Sequence, residues 1–213
     1  MMRFGFEHGL AAAAIVLSSA VAAQSQDEGV KQVEALTKKA GATVQAIGNT
    51  KVQLLKTMDV YNGLMAEGAT DLKGLYKKLQ GEMESTDKRR AEITVRADEM
   101  KAEADTLFTS WGASTAAIGD ATLRKGSEER LAKTKASYAS IGTVGQKAAD
   151  LYGPFMKALQ DQVTYLGHDL NPSAVASLKP KAVQINDQAK ELVKHIDDTI
   201  TTANAAIGAL RPQ

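Results

Sequence analysis

Three histidines and a scatter of carboxylates are the residues of this chain best suited to proton transfer or metal binding. His8 lies ahead of the first apolar stretch, which leaves His168 and His195. His168 is followed directly by Asp169 and, two positions later, by Asn171. A carboxylate beside an imidazole orients the ring and raises its basicity. If the flanking helices run antiparallel, Glu67 and Asp71 fall at the same end of the molecule. His168, Asp169, Asn171, Glu67 and Asp71 then form a candidate polar cluster. The cluster offers no nucleophile held by a base and an orienting group, as hydrolytic catalysis requires. Each member also has a plainer use, because such side chains cap helix ends. Capping is the favoured expectation, with no catalytic residue.

Metal and cofactor chemistry fares no better. Di-iron bundles place a Glu-x-x-His motif on each of two helices. Glu191 and His195 stand four apart, on one segment, with no second copy. A haem held by methionine and histidine needs no cysteine, but His195 lies beside the apolar positions Leu192 and Ile196 rather than on them. The chain has no cysteine, so it has no disulfide, thiolate nucleophile or thiolate ligand. The expectation is no cofactor and no metal, with a ligand, haem or metal carrier kept as the alternative.

The elements that must position these residues are written in heptads. Leu72, Leu75, Leu79, Met83, Thr86, Arg90, Ile93, Ala97, Met100, Ala104, Leu107 and Trp111 recur at steps of three and four. Such spacing places them on one stripe of a helix. Similar stripes run through Ala40–Met65, Leu123–Leu166 and Val175–Leu210. Four helices are predicted, at about 28–66, 70–111, 121–167 and 173–210. The turns between them carry their own signals. Gly68 suits a left-handed helix end, Thr70 an N-cap, and Asn171 an N-cap ahead of Pro172. Short turns make neighbours antiparallel, so the fold class expected is all-α, an elongated up-down bundle with coiled-coil-like packing. Helices of about 40 residues are roughly 60 Å long.

Several positions break the stripes. Lys51 is expected to snorkel outward along its apolar stem. Thr86 and Arg90 are expected either to fix register at a cost in stability or to mark a splayed stretch. Gly142, Gly145 and Gly153 are expected to let a neighbour approach closely. Pro154 is expected to kink its helix, and Pro180 to kink or interrupt the last one. Trp111, the single tryptophan, is expected to plug a bundle end.

The first residues have a different character. Arg3 is followed by the apolar run Leu10–Leu17 and then by the small residues Ser18–Ala23. This is the layout of a secretory signal peptide over residues 1–23, cleaved after Ala22 or Ala23, and the run is too short to span a bilayer. A periplasmic location follows, with no transmembrane helix in the mature chain. Without a cysteine to carry a lipid, a lipoprotein is not expected. A net charge of +1, from 26 basic and 25 acidic residues, lacks the basic excess of a nucleic-acid surface.

Three tracts resemble a known family: Leu123 to Leu131 (LRKGSEERL), Phe155 to Asn171 (FMKALQDQVTYLGHDLN) and Ala174 to Leu178 (AVASL). The chain is similar there to the bacterial "domain of unknown function 2959" proteins, and Leu75 to Trp111 matches in pattern. The resemblance implies an exported, all-helical protein, commonly with a lipoprotein-type signal that this chain lacks. It implies no reaction, cofactor or catalytic residue. The reading is thus a non-enzymatic envelope or periplasmic bundle that binds or scaffolds an unknown partner, as a monomer or weak homo-oligomer.

Overall fold

Alanine, leucine, lysine and glutamate fill the periodic stretches, and these residues lose least on entering a helix. Four helices result: α1 (Ala11–Met65), α2 (Leu72–Ala116), α3 (Ala121–His168) and α4 (Pro172–Leu210). The computed structural model describes the backbone of residues 11–210 and the side chains of residues 28–210. The first ten residues, with Arg3 and Glu7 of the expected signal peptide, lie outside the described residues. Helix α1 begins at Ala11 rather than near residue 28 and passes unbroken through the expected cleavage point. The intervening stretch is rich in alanine and has no proline, so helix propensity carries it.

Each helix packs on its neighbours in sequence, and α4 closes back on α1. The diagonal pairs, α1 with α3 and α2 with α4, stay apart at the level of the backbone. The architecture is an antiparallel up-down four-helix bundle. One end holds the α1–α2 and α3–α4 turns; the other holds the α2–α3 turn.

The first turn uses Gly68 in the left-handed conformation, at φ 75°, where a Cβ would clash with the carbonyl oxygen. The N-cap of α2 is Asp71 rather than Thr70: its Oδ1 accepts from the Gly74 amide at 2.8 Å. At the start of α3, Asp120 accepts from Thr122 and Leu123. Asn171 caps α4, its Oδ1 accepting from the Ala174 amide at 2.9 Å. Helix α2 runs past Trp111 to Ala116, one turn beyond the expected end. The extra turn buries Thr115, whose hydroxyl lies 2.7 Å from that of Ser127 on α3.

Neither internal proline interrupts its helix. Pro154 and Pro180 are both exposed, and on that side of a helix the carbonyl left without a partner is solvated by water. The close-approach glycine is also not one of those expected. Gly142 and Gly153 have open space around them, and Gly145 only touches Thr199. At Gly167, by contrast, a Cβ would stand 2.8 Å from the Tyr76 hydroxyl, so the Tyr76 side chain of α2 lies over α3 there in the space a larger residue would take.

Burial divides into two apolar clusters. The larger reaches from the Glu67–His168 end to mid-bundle and includes Leu54, Tyr61, Leu79, Phe155, Leu159, Leu166, Ile185 and Leu192. The smaller, toward the α2–α3 turn, includes Leu36, Ala40, Ala104, Leu107, Ile141 and Ala203. On α2, no residue from Asp87 to Glu99 is fully buried. The stripe of α2 is therefore interrupted in packing at Arg90, which is exposed, as the expectation of a splayed stretch has it.

Candidate functional site

The polar residues singled out from sequence do reach one end of the bundle, but they act separately. Asp71 and Asn171 cap their own helices. Asp169 accepts from the Asn171 side-chain amide, a contact within the turn. Glu67, 90% exposed, pairs with Lys179 at 2.8 Å, and the ammonium holds its carboxyl below the usual range. His168 is exposed and makes no hydrogen bond or ion pair among the described residues. The geometry brings Asp169 and Asn171 together, and does not bring His168, Glu67 or Asp71 onto a common point. His195 is half-buried, with Nδ1 3.9 Å from Asp198. No group of three or more potential ligands able to hold a metal is found among the described residues.

The polar residues inside the bundle are more informative. Tyr61 on α1 is fully buried, and its hydroxyl donates to Gln162 Oε1 on α3 at 2.7 Å. This bond spans the diagonal of the bundle, between helices whose backbones do not touch. Burial pushes the Tyr61 hydroxyl up to about 12. Gln162 is only 6% exposed, so the bond leaves no buried amide oxygen without a partner. The spacing Phe155, Leu159, Gln162, Leu166 could have marked it as a seam position, but a glutamine there does not look apolar.

Lys51 does not simply snorkel. Its ammonium reaches both oxygens of Asp197 on α4, at 2.6 and 2.8 Å, tying α1 to α4 near mid-bundle. Trp111 sits at the bundle end and is more than a plug: its Nε1 donates to Ser127 Oγ at 3.1 Å, joining α2 to α3.

Where the larger apolar cluster ends at mid-bundle lies a cavity of about 150 Å³. Its floor is Ile47 and Thr50 of α1 with Leu192, Ile196 and Thr199 of α4, all nearly buried. Its walls are Ile93 of α2 and Ala148 of α3. Arg90, Thr94 and Ala149 are exposed and belong to α2 and α3, so the mouth opens between those two helices. Small residues on α3, Gly145 and Ala148, leave the space unfilled. The Arg90 guanidinium stands over the Tyr152 ring, 5.5 Å from its centroid. Tyr152 in turn donates to Asp87 Oδ1 at 2.8 Å. Burial raises the Tyr152 hydroxyl far above its usual range, and the bond to Asp87, which needs the proton, adds to the rise.

No helix among the described residues is long and apolar enough to cross a membrane. No curated protein and no solved structure matches the chain. The family model described as "Protein of unknown function (DUF2959)" matches residues 23–210, which spans all of α2, α3 and α4 and the greater part of α1. The chain belongs to the DUF2959 family of proteins of unknown function.

Proposed function

We propose that the chain is exported through a leader ending at Ala22 or Ala23 and acts in the periplasm as a non-enzymatic bundle that binds or scaffolds a partner. The observation behind this reading is the uneven closure of the ring. Of the four neighbouring helix pairs, α1 and α2 make the most extensive contact, whereas α2 and α3 make the sparsest. A binding protein needs such a surface, and bundles build their sites between facing helices. The family match starting at residue 23, where the small-residue stretch ends, supports removal of what precedes it.

A photo-crosslinking residue placed at Thr94, beside the mouth, tests the reading against one at Val183, exposed on the outer face of α4. A partner bound at the open seam is captured from Thr94 and not from Val183, and is then retained by the purified protein. Equal capture at both positions, or none, counts against it. N-terminal sequencing of the periplasmic protein tests export, with Ala23 or Gln24 as the expected first residue.

The cavity favours a second reading, that the bundle carries a small ligand. An absorbance spectrum and metal analysis of the purified protein distinguish haem or metal from an organic ligand.

A further inference from the structure

We infer that the mid-bundle cavity is a site for a carboxylate-headed amphiphile, with its apolar end on the floor formed by Ile47, Leu192 and Ile196 and its carboxylate on Arg90. The inference rests on the carrier reading above and adds the chemical class of the ligand.

The floor selects an apolar group. Its two hydroxyls are already engaged, Thr50 donating to the Ala46 carbonyl at 2.9 Å and Thr199 to the His195 carbonyl at 2.7 Å. An incoming carboxylate would lose water there without gaining a donor. A cavity of about 150 Å³ lined by aliphatic side chains has room for an apolar group the size of benzene, hence about six carbons of a chain.

The mouth selects an anion. Arg90 is the one charged residue lining the cavity among the described residues. Its basic neighbours on α2 have carboxylate partners: Lys88 pairs with Glu84, Arg89 with Glu92, and Arg96 with Glu92 and Glu99. Arg90 has neither an ion pair nor a hydrogen bond among the described residues; it has only the face of Tyr152. That ring is held by the bond from its hydroxyl to Asp87. The Asp87 carboxylate therefore steadies the platform and does not pair with Arg90. A guanidinium held over a ring keeps its donor edges free, and two parallel N–H groups match a carboxylate. Holding it in place beforehand lowers the entropic cost of binding.

Isothermal titration of the purified protein with octanoate, 1-octanol and octylammonium tests this directly. Octanoate is expected to bind one to one and about tenfold or more tighter than 1-octanol, as a charge-assisted bond allows, with octylammonium weakest. Arg90→Gln should erase the preference for octanoate, Arg90→Lys should keep part of it, and Ala148→Leu, which fills the cavity, should abolish binding of every probe. Binding of 1-octanol as tight as octanoate, lost in Ala148→Leu, overturns the headgroup assignment and leaves the carrier reading standing. No binding by any probe, or binding that survives Ala148→Leu, overturns both. The three-probe comparison on the unaltered protein decides the headgroup even if a variant does not fold.

Discussion

Helix α2 shows two kinds of interface on one element. Along the seam with α1 the two backbones come close enough for hydroxyls of α1 to reach carbonyls of α2. Thr57 is fully buried, its hydroxyl 3.1 Å from the Glu82 carbonyl and 2.8 Å from the Thr86 hydroxyl. Thr43 repeats the pattern two heptads earlier, reaching the Arg96 carbonyl at 3.1 Å. Toward α3 the same helix presents Tyr76, Arg90, Phe108 and Trp111. These make point contacts: Tyr76 on Gly167, Arg90 on Tyr152, Phe108 edge-on to Tyr138, and Trp111 to Ser127. Small side chains let helices approach until backbone carbonyls become acceptors, whereas large ones hold them apart and leave gaps between the contacts. One seam becomes core, and the other keeps a mouth.

The largest expected effect sets the closed half of the bundle against the waist. Leu159→Ala, at a fully buried position, should cost about 2–5 kcal/mol, as core truncations do. Ile93→Ala, half-buried at the cavity wall, should cost less than half as much, because space already exists there. Urea unfolding measures both; equal costs would mean the waist is as tightly packed as the core.

Next comes the close seam. Thr57→Val keeps the volume and removes the hydroxyl, so it should destabilise by about 1 kcal/mol through loss of the buried bonds to Thr86 and the Glu82 carbonyl. The double variant Thr57→Val, Thr86→Val should recover part of that loss. Additive losses in the double-mutant cycle would show that the two hydroxyls are not coupled.

Burial of the Tyr61 hydroxyl predicts a pH dependence. The Tyr61 hydroxyl is raised in the folded state from 10.0 to about 12, so the native chain holds this proton more tightly than the unfolded one. The stabilisation is complete below pH 10 and is lost as pH rises through 12. Tyr152 shifts in the same direction. Tyr61→Phe should flatten the decline over that window; an unchanged slope in urea midpoint against pH would assign the decline elsewhere.

Smaller effects belong to the surface. Lys51→Met should change stability by about 1 kcal/mol or less, since the pair with Asp197 is part-exposed and screened by salt. His168→Ala should stay within about 0.5 kcal/mol. A large loss of thermal stability there would restore the polar end as more than a set of caps.

The helix stripes were readable because their period is a property of consecutive residues. So was the cap at Asn171, where a short acceptor precedes a helix start; at the start of α2 the sequence favoured Thr70, and only the turn of the backbone gave the role to Asp71. The candidate cluster around His168 was readable as a location and not as a site. Asp169 turns to Asn171, Glu67 turns to Lys179 on α4, and among the described residues nothing turns to His168. The cavity was not readable. Arg90 stands out in its stripe, but an empty space belongs to no residue. It requires Gly145 and Ala148 of α3 to face Ile47 of α1 and Ile196 of α4 across the bundle.

By itself the order of residues determined four helices, their apolar faces and their antiparallel succession, because propensity, periodicity and short turns act within a few residues of each other. Only the tertiary structure decided that Tyr61 meets Gln162, that Lys51 meets Asp197, and that α2 closes on α1 while standing off from α3. Those outcomes depend on volumes and partners brought together from distant parts of the chain, and the fit of two surfaces is a property of neither one alone.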